Sequence, residues 1–141
     1  MILMLDDEPR LMSSYFEDLK LSGLHVEFFD DPKAALELLE GDATKVDLLI
    51  LDLMMPPGER FEKVDTERGL RTGVRVYEAV RAMAPHLPVV ILTNVSDPKV
   101  ERRFRAEKNC SFFRKEQVLP FEFTTQVTEF MQRTVHDISK S

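Results

Sequence analysis

Asp6, Asp7 and Asp52 are residues whose type and placement could do chemistry together. Asp52 ends a run, Val46 and Leu48 to Leu51, that is apolar on both faces. The pair Asp6-Asp7 ends a second apolar run, Ile2 to Leu5. Carboxylates gathered in one place make a hard oxygen site suited to Mg²⁺ that keeps several of its waters. A cation there would hold Asp52 ionised and partly offset the charge of a phosphoryl group. Asp52 could then attack phosphorus, as carboxylates do in aspartyl-phosphate chemistry. Thr93, after the apolar residues 88–92, could offer its hydroxyl to a phosphoryl oxygen. Lys115, after 110–113, could offer an ammonium to another.

These residues need a scaffold that brings strand ends together. Runs apolar on both faces read as central strands of a parallel sheet covered by helices. Strands are expected at 2–5, 25–29, 46–51, 88–92 and 110–113. Between them the pattern switches to helix. Pro9 suits a first helical turn, and Leu11, Met12, Tyr15, Phe16 and Leu19 follow three- and four-residue spacing, with Gly23 as the stop. Asp31-Pro32 and Asp97-Pro98 each read as a cap followed by proline. Gly41 is expected to end the second helix. A third begins near Val74 and closes before Pro85, and a last one starts at Pro120, with Phe123, Val127, Phe130, Met131 and Ile138 facing inward. Alternating strands and helices argue for a parallel α/β sheet. In such sheets ligands bind at the carboxyl edge of the strands, and that edge receives Asp6, Asp7, Asp52, Thr93 and Lys115.

Residues 56–72 break the rhythm. This charged stretch holds Pro56, Pro57, Gly58 and Gly69 and is too long for an ordinary link of about 2–6 residues. It reads as an extended loop, either a tolerated surface insertion or a cover over the site. In the second case Glu59, Arg60 and Glu62 could modulate the chemistry.

The 141 residues fit one domain with a sizeable core. Net charge is −6, with −9 over residues 1–52, balance over 53–98, and +3 over 99–141. An acidic N-terminal third suits a cation site, and nucleic-acid binding through bulk charge is not expected. No apolar run approaches the ~20 residues that span a membrane. One cysteine, Cys110, cannot form an internal disulfide, so a reduced cytosolic setting is expected. His25, His86 and His136 are scattered and make no metal cluster.

The set Asp6-Asp7, Asp52 within Leu51-Asp52-Leu53-Met54-Met55-Pro56, Thr93, and Lys115 with Phe112 three residues before it resembles the receiver domain of two-component response regulators, over essentially the whole chain. The resemblance implies a flavodoxin-like (βα)5 three-layer sandwich with strand order 2-1-3-4-5. It implies phosphorylation on Asp52, with a histidine kinase or phosphotransfer protein as donor. Mg²⁺ would be held by Asp7, Asp52 and the backbone carbonyl of Met54, with Asp6 acting largely through water. Thr93 and Phe112 would rearrange on phosphorylation. It further implies a cytoplasmic signalling protein rather than a metabolic enzyme, and a homodimer through the last two helices and strand 5, near Arg102, Arg103, Arg105 and Lys108. The 141 residues are expected to hold the receiver without an output region.

Three features depart from the family pattern. Glu116 stands where proline usually follows the lysine, often across a cis bond. Asn94 stands where a very small residue usually follows the threonine. The loop after Met55 is longer than usual. These keep open a receiver-like interaction module that does not use phosphate. A Mg²⁺-dependent phosphohydrolase with an aspartate nucleophile is the other alternative. Such enzymes commonly need a second aspartate two residues on as general acid, and here that position is Met54. No glycine-rich loop follows the first strand, which disfavours nucleotide binding.

Overall fold

The computed structural model describes residues 1–55 and 72–140, with side chains as far as Thr134. Five strands, β1 (Ile2–Leu5), β2 (Val26–Phe29), β3 (Leu48–Leu51), β4 (Val89–Thr93) and β5 (Cys110–Arg114), form one sheet. All pairings are parallel, in the order β2-β1-β3-β4-β5. The helices are α1 (Pro9–Leu21), α2 (Pro32–Asp42), α3 (Thr72–Met83), α4 (Pro98–Ala106) and α5 (Pro120–Lys140). This is the flavodoxin-like sandwich expected from the sequence.

Strand alternation divides the apolar side chains between two cores. Leu3, Leu5, Leu49, Leu51, Val89, Ile91 and Phe112 share one core with Leu36 of α2, Val76 and Val80 of α3 and Phe104 of α4. Ile2, Met4, Leu48, Ile50, Val90 and Leu92 share the other with Met12 and Leu19 of α1 and Phe123 and Val127 of α5. Burial on both faces is why β1, β3 and β4 read as unbroken apolar runs.

Local signals start the helices as expected. Asp31 accepts a hydrogen bond from the Lys33 N–H at 3.4 Å, and Asp97 from the Lys99 N–H at 2.9 Å, each ahead of a proline. Gly23, at φ +88°, turns the chain after α1. Two expectations are corrected. The second helix does not stop at Gly41 but runs to Asp42, whose carboxylate accepts the Thr44 N–H at 3.0 Å and opens a 3-10 turn, Ala43–Lys45. Leu11 does not join the core: it lies in the first turn of α1 and is 64% exposed. The extended loop at 56–72 lies outside the described residues except for Thr72, which opens α3.

Candidate functional site

The strand register sets the site. Leu5 pairs with Leu51 across β1 and β3, and the Asp52 N–H donates to the Leu5 carbonyl at 3.1 Å. Asp6 and Asp52 therefore leave adjacent strands at the same level. Thr93 pairs with Arg114 across β4 and β5, so Lys115 steps off the edge one residue later.

The side chains then converge. Lys115 Nζ lies 2.8 Å from Asp6 Oδ2 and 3.1 Å from Asp52 Oδ2. The latter contact is also a hydrogen bond, donated by the ammonium. The former is a buried ion pair, and the ammonium is the partner of Asp6 Oδ2. The other oxygens are held by backbone. The Glu8 N–H donates to Asp6 Oδ1 at 2.9 Å, and the Met54 N–H to Asp52 Oδ1 at 3.2 Å. Asp6 and Asp52 are buried, and Asp7 is half-buried. One carboxylate oxygen from each of the three lies within 4.8 Å of the others.

Three acids around one lysine leave an excess of negative charge. Burial, and then the Asp52 charge, push the Asp6 carboxyl up to about 6, against the opposing pull of Lys115. Burial also raises Asp7, a hydrogen bond to its own backbone opposes this, and Asp52 adds to the rise. For Lys115, burial favours the neutral amine, but the charges of Asp52 and Asp6 outweigh it and hold the ammonium above its usual range.

This donor set fits a hard divalent cation. It is all oxygen and net negative, and its three carboxylates each bring an oxygen within 4.8 Å of the others. It lacks the soft ligands that would favour other metals.

The remaining candidates are placed as follows. Thr93 is fully buried, and its Oγ1 accepts the Val95 N–H at 3.2 Å. Asn94, next to it, is exposed. Phe112 is buried in the core that holds Ile91 and Phe104, and the Arg105 guanidinium lies 5.5 Å from its ring centroid. Met54 is about half exposed as a side chain. Glu59, Arg60 and Glu62 lie outside the described residues. The peptide after Lys115 is trans, since the described residues contain no cis bond. It enters a 3-10 turn, Lys115–Gln117.

Two positioning residues escape a reading for reactive side chains. A Cβ on Gly73 would lie 2.2 Å from Leu53 Cα and 2.4 Å from the Asp52 carbonyl oxygen, while the Gly73 N–H donates to the Leu53 carbonyl at 3.0 Å. The start of α3 is thus seated directly on the backbone that carries Asp52. A glycine just ahead of the apolar-periodic residues of a helix is the sequence signal for such an approach. Tyr15 is the second: its hydroxyl reaches the Lys115 and Val118 carbonyls, both at 2.9 Å. A tyrosine on the inner face of a helix signals that its O–H needs a buried partner.

A parallel 2-1-3-4-5 sheet with an acid triad and a lysine at its carboxyl edge defines a receiver-type α/β domain. The family model for the response regulator receiver domain matches residues 2–117, and the chain belongs to that family. It is 30% identical over 92 residues to response regulator MprA of Mycolicibacterium vanbaalenii, covering 65% of this chain and 33% of that protein. It is 39% identical over 70 residues to the transcriptional regulatory protein CpxR of Escherichia coli, covering 50% of this chain and 28% of that one. The matched segment thus spans about a third of these relatives' length. In fold it is similar to a CheY-like response regulator receiver domain protein from Methanospirillum hungatei, with a TM-score of 0.75 and 18% identity over 96% of both chains.

Proposed function

We propose that this receiver is a working phosphoacceptor: Asp52 takes a phosphoryl group from a histidine kinase or phosphotransfer protein in a Mg²⁺-dependent reaction, and the product state alters a protein-binding surface. The observation that carries this reading is the convergence of Asp6, Asp7, Asp52 and Lys115 on one sheet edge.

The chemistry follows from the residues. A carboxylate oxygen of Asp52 attacks phosphorus while the bond from phosphorus to the donor's histidine nitrogen breaks. The imidazole leaves with the electron pair and is protonated, and Asp52 becomes an acyl phosphate. Water later attacks phosphorus, releases inorganic phosphate and restores the carboxylate. Asp7, Asp52 and the Met54 carbonyl would hold Mg²⁺, with Asp6 acting largely through water. When bound, the cation offsets charge on the phosphoryl oxygens and on the carboxylates that would otherwise repel them. Lys115, already poised over Asp52, pairs with one phosphoryl oxygen, and the Thr93 hydroxyl donates to another.

Thr93 Oγ1 can donate to the phosphoryl group while still accepting the Val95 N–H, which ties the phosphoryl group to the segment before α4. Phe112, packed in the core beside that segment, is the partner expected to follow. Exposed Leu11, Met54, Leu119 and Phe121 lie within a few residues of the site's strand ends and give a donor protein apolar surface to dock on. The output side is the face of α4, β5 and α5. There a cavity of about 220 Å³ is lined by residues that include Arg105, Phe112, Arg114 and Gln117, and a second copy of this chain is the expected occupant. Residues 1–141 act as one receiver domain in this reading, and the setting is the cytoplasm. Asn94 and residues 59–60 remain candidate modulators of the acyl-phosphate lifetime.

The test is intact mass after incubation with Mg²⁺ and a small phosphoryl donor. One phosphoryl adduct is expected, lost with chelator and absent in Asp52→Asn. An adduct that survives Asp52→Asn overturns the assignment of the acceptor. No adduct with any donor, kinase included, favours an interaction module that does not use phosphate.

A further inference from the structure

The turn that follows Lys115 is held from outside β5. Tyr15, on α1, is 8% exposed and points its hydroxyl at two carbonyls of that turn, Lys115 and Val118, each 2.9 Å away. One O–H carries one hydrogen, so the bond is shared between the two acceptors. The ring itself is fixed. It meets the Phe123 ring edge-on at 5.6 Å and 86°, and Phe123 meets Phe113 in the same way at 5.6 Å and 89°. The chain between Arg114 and Val118 has no side-chain cap of its own at its start.

We infer that Tyr15 is a positioning residue for phosphoryl transfer: its hydroxyl pins the backbone of Lys115 so that the ammonium spans Asp6 and Asp52. The inference rests on the proposed phosphoacceptor role, but it concerns a residue that carries none of the chemistry. Lys115 ends a strand, and its long side chain must reach back over the sheet edge to two carboxylates. A lysine side chain has several free torsions, so its reach depends on where its own backbone is held. That backbone has no proline to stiffen it, since Glu116 follows. The hydroxyl on α1 supplies the restraint, and it attaches the turn to the helix whose first residues follow the Asp6-Asp7 strand end. The carboxylates and the lysine are thereby referred to a common element.

Tyr15→Phe removes the oxygen and keeps the ring, so the aromatic contacts remain and a thermal melt checks the fold. Two readouts are taken. The first is the rate of phosphoryl uptake from a small donor at saturating Mg²⁺, in the native background and in Lys115→Ala. Tyr15→Phe is expected to slow uptake about fivefold, the usual net worth of one hydrogen bond, and to have no further effect once Lys115 is gone. Equal slowing in both backgrounds, or no slowing in the native one, overturns the inference. The second readout needs no phosphoryl transfer: site-resolved reductive methylation of lysines, followed by mass spectrometry. Labelling of Lys115 is expected to rise severalfold in Tyr15→Phe while Lys33 and Lys99 keep their rates. Unchanged Lys115 labelling overturns the inference. If the native protein takes up no phosphoryl group at all, the phosphoacceptor reading fails, and the labelling experiment still decides whether Tyr15 holds the lysine.

Discussion

Lys115 Nζ lies 3.1 Å from Asp52 Oδ2, and the same nitrogen lies 2.8 Å from Asp6 Oδ2. One ammonium therefore serves two buried carboxylates, with a third acid, Asp7, beside them. The site is built to be short of positive charge. That shortage is what a cation and a phosphoryl donor's positive partners would relieve, and it makes several properties measurable.

Lys115→Ala removes the only cation in contact with the acid triad among the described residues. Breaking one partner out of a buried ion pair typically costs roughly 3–5 kcal/mol. Here the acids can respond by taking up protons, so the loss is expected to be smaller at pH 5 than at pH 8. Titration of the lysine itself acts in the opposite sense, and only above this window. Its pKa is raised by Asp52 and Asp6 against the effect of burial, so its stabilising effect is present throughout the neutral range and is lost only as pH rises through that raised value. Urea titrations at the two pH values, without Mg²⁺, measure the difference.

Asp6→Asn is expected to stabilise the metal-free protein. The Asp6 carboxyl titrates at about 6 in the fold against 3.8 as an ordinary aspartate. The folded state thus binds this proton more tightly than the unfolded chain. The corresponding stability is present below pH 3.8 and is lost as pH climbs through about 6. Above that, ionised Asp6 is a standing cost of order 1–3 kcal/mol. The asparagine removes the cost, so the melting temperature should rise at pH 7.5 and change little near pH 4. A rise of equal size at both values would contradict burial and Asp52 as the cause.

Mg²⁺ should raise the melting temperature at pH 7.5, with the gain growing as the logarithm of concentration above the dissociation constant. The gain should vanish with chelator, shrink as pH falls through about 6 and Asp6 takes up a proton, and be lost in Asp7→Asn. Asp7 is the carboxylate least engaged by Lys115, and so the most available to the cation. A gain that survives Asp7→Asn intact would mean that the ion binds elsewhere.

The strand ends were legible in the sequence because each is a local pattern, an apolar run stopped by a polar residue. Asp6, Asp52 and Thr93 lie at strand ends for that reason, and Lys115 follows one. Their sharing of an edge followed from the parallel topology, which alternation alone suggests. What the pattern could not give was contact. That Lys115 reaches both Asp6, which is 109 positions earlier, and Asp52 depends on strand register and on the turn held by Tyr15. Tyr15 itself looked like one more apolar helix position, because a period of 3.6 reports a face and is blind to a hydroxyl. Spacing likewise assigned Leu11 to the inner face, but it is 64% exposed while Met12 beside it is buried. Gly41 looked like a stop because glycine disfavours helix, but the helix ends one residue later, at Asp42, which caps the 3-10 turn that follows.

Two glycines in helices should respond in opposite ways to alanine. At Gly41 a Cβ would meet nothing within 4 Å. Alanine there should stabilise by about 0.4–1 kcal/mol, through reduced freedom in the unfolded chain and better helix propensity. At Gly73 a Cβ would fall 2.2 Å from Leu53 Cα, 2.4 Å from the Asp52 carbonyl oxygen and 2.8 Å from the Leu53 carbonyl carbon. All three are backbone atoms of the segment that ends β3, so no side chain can swing aside. Either α3 lifts away and loses the 3.0 Å bond from the Gly73 N–H to the Leu53 carbonyl, or Asp52 shifts. Gly73→Ala should therefore cost about 2 kcal/mol or more in chemical denaturation. It should also slow phosphoryl uptake at temperatures where the protein remains folded, because sub-ångström placement of the reacting carboxylate matters to transfer. A purely structural role would lower stability and leave the uptake rate of the folded fraction unchanged. A lowered rate in that fraction would tie the start of α3 to the placement of Asp52.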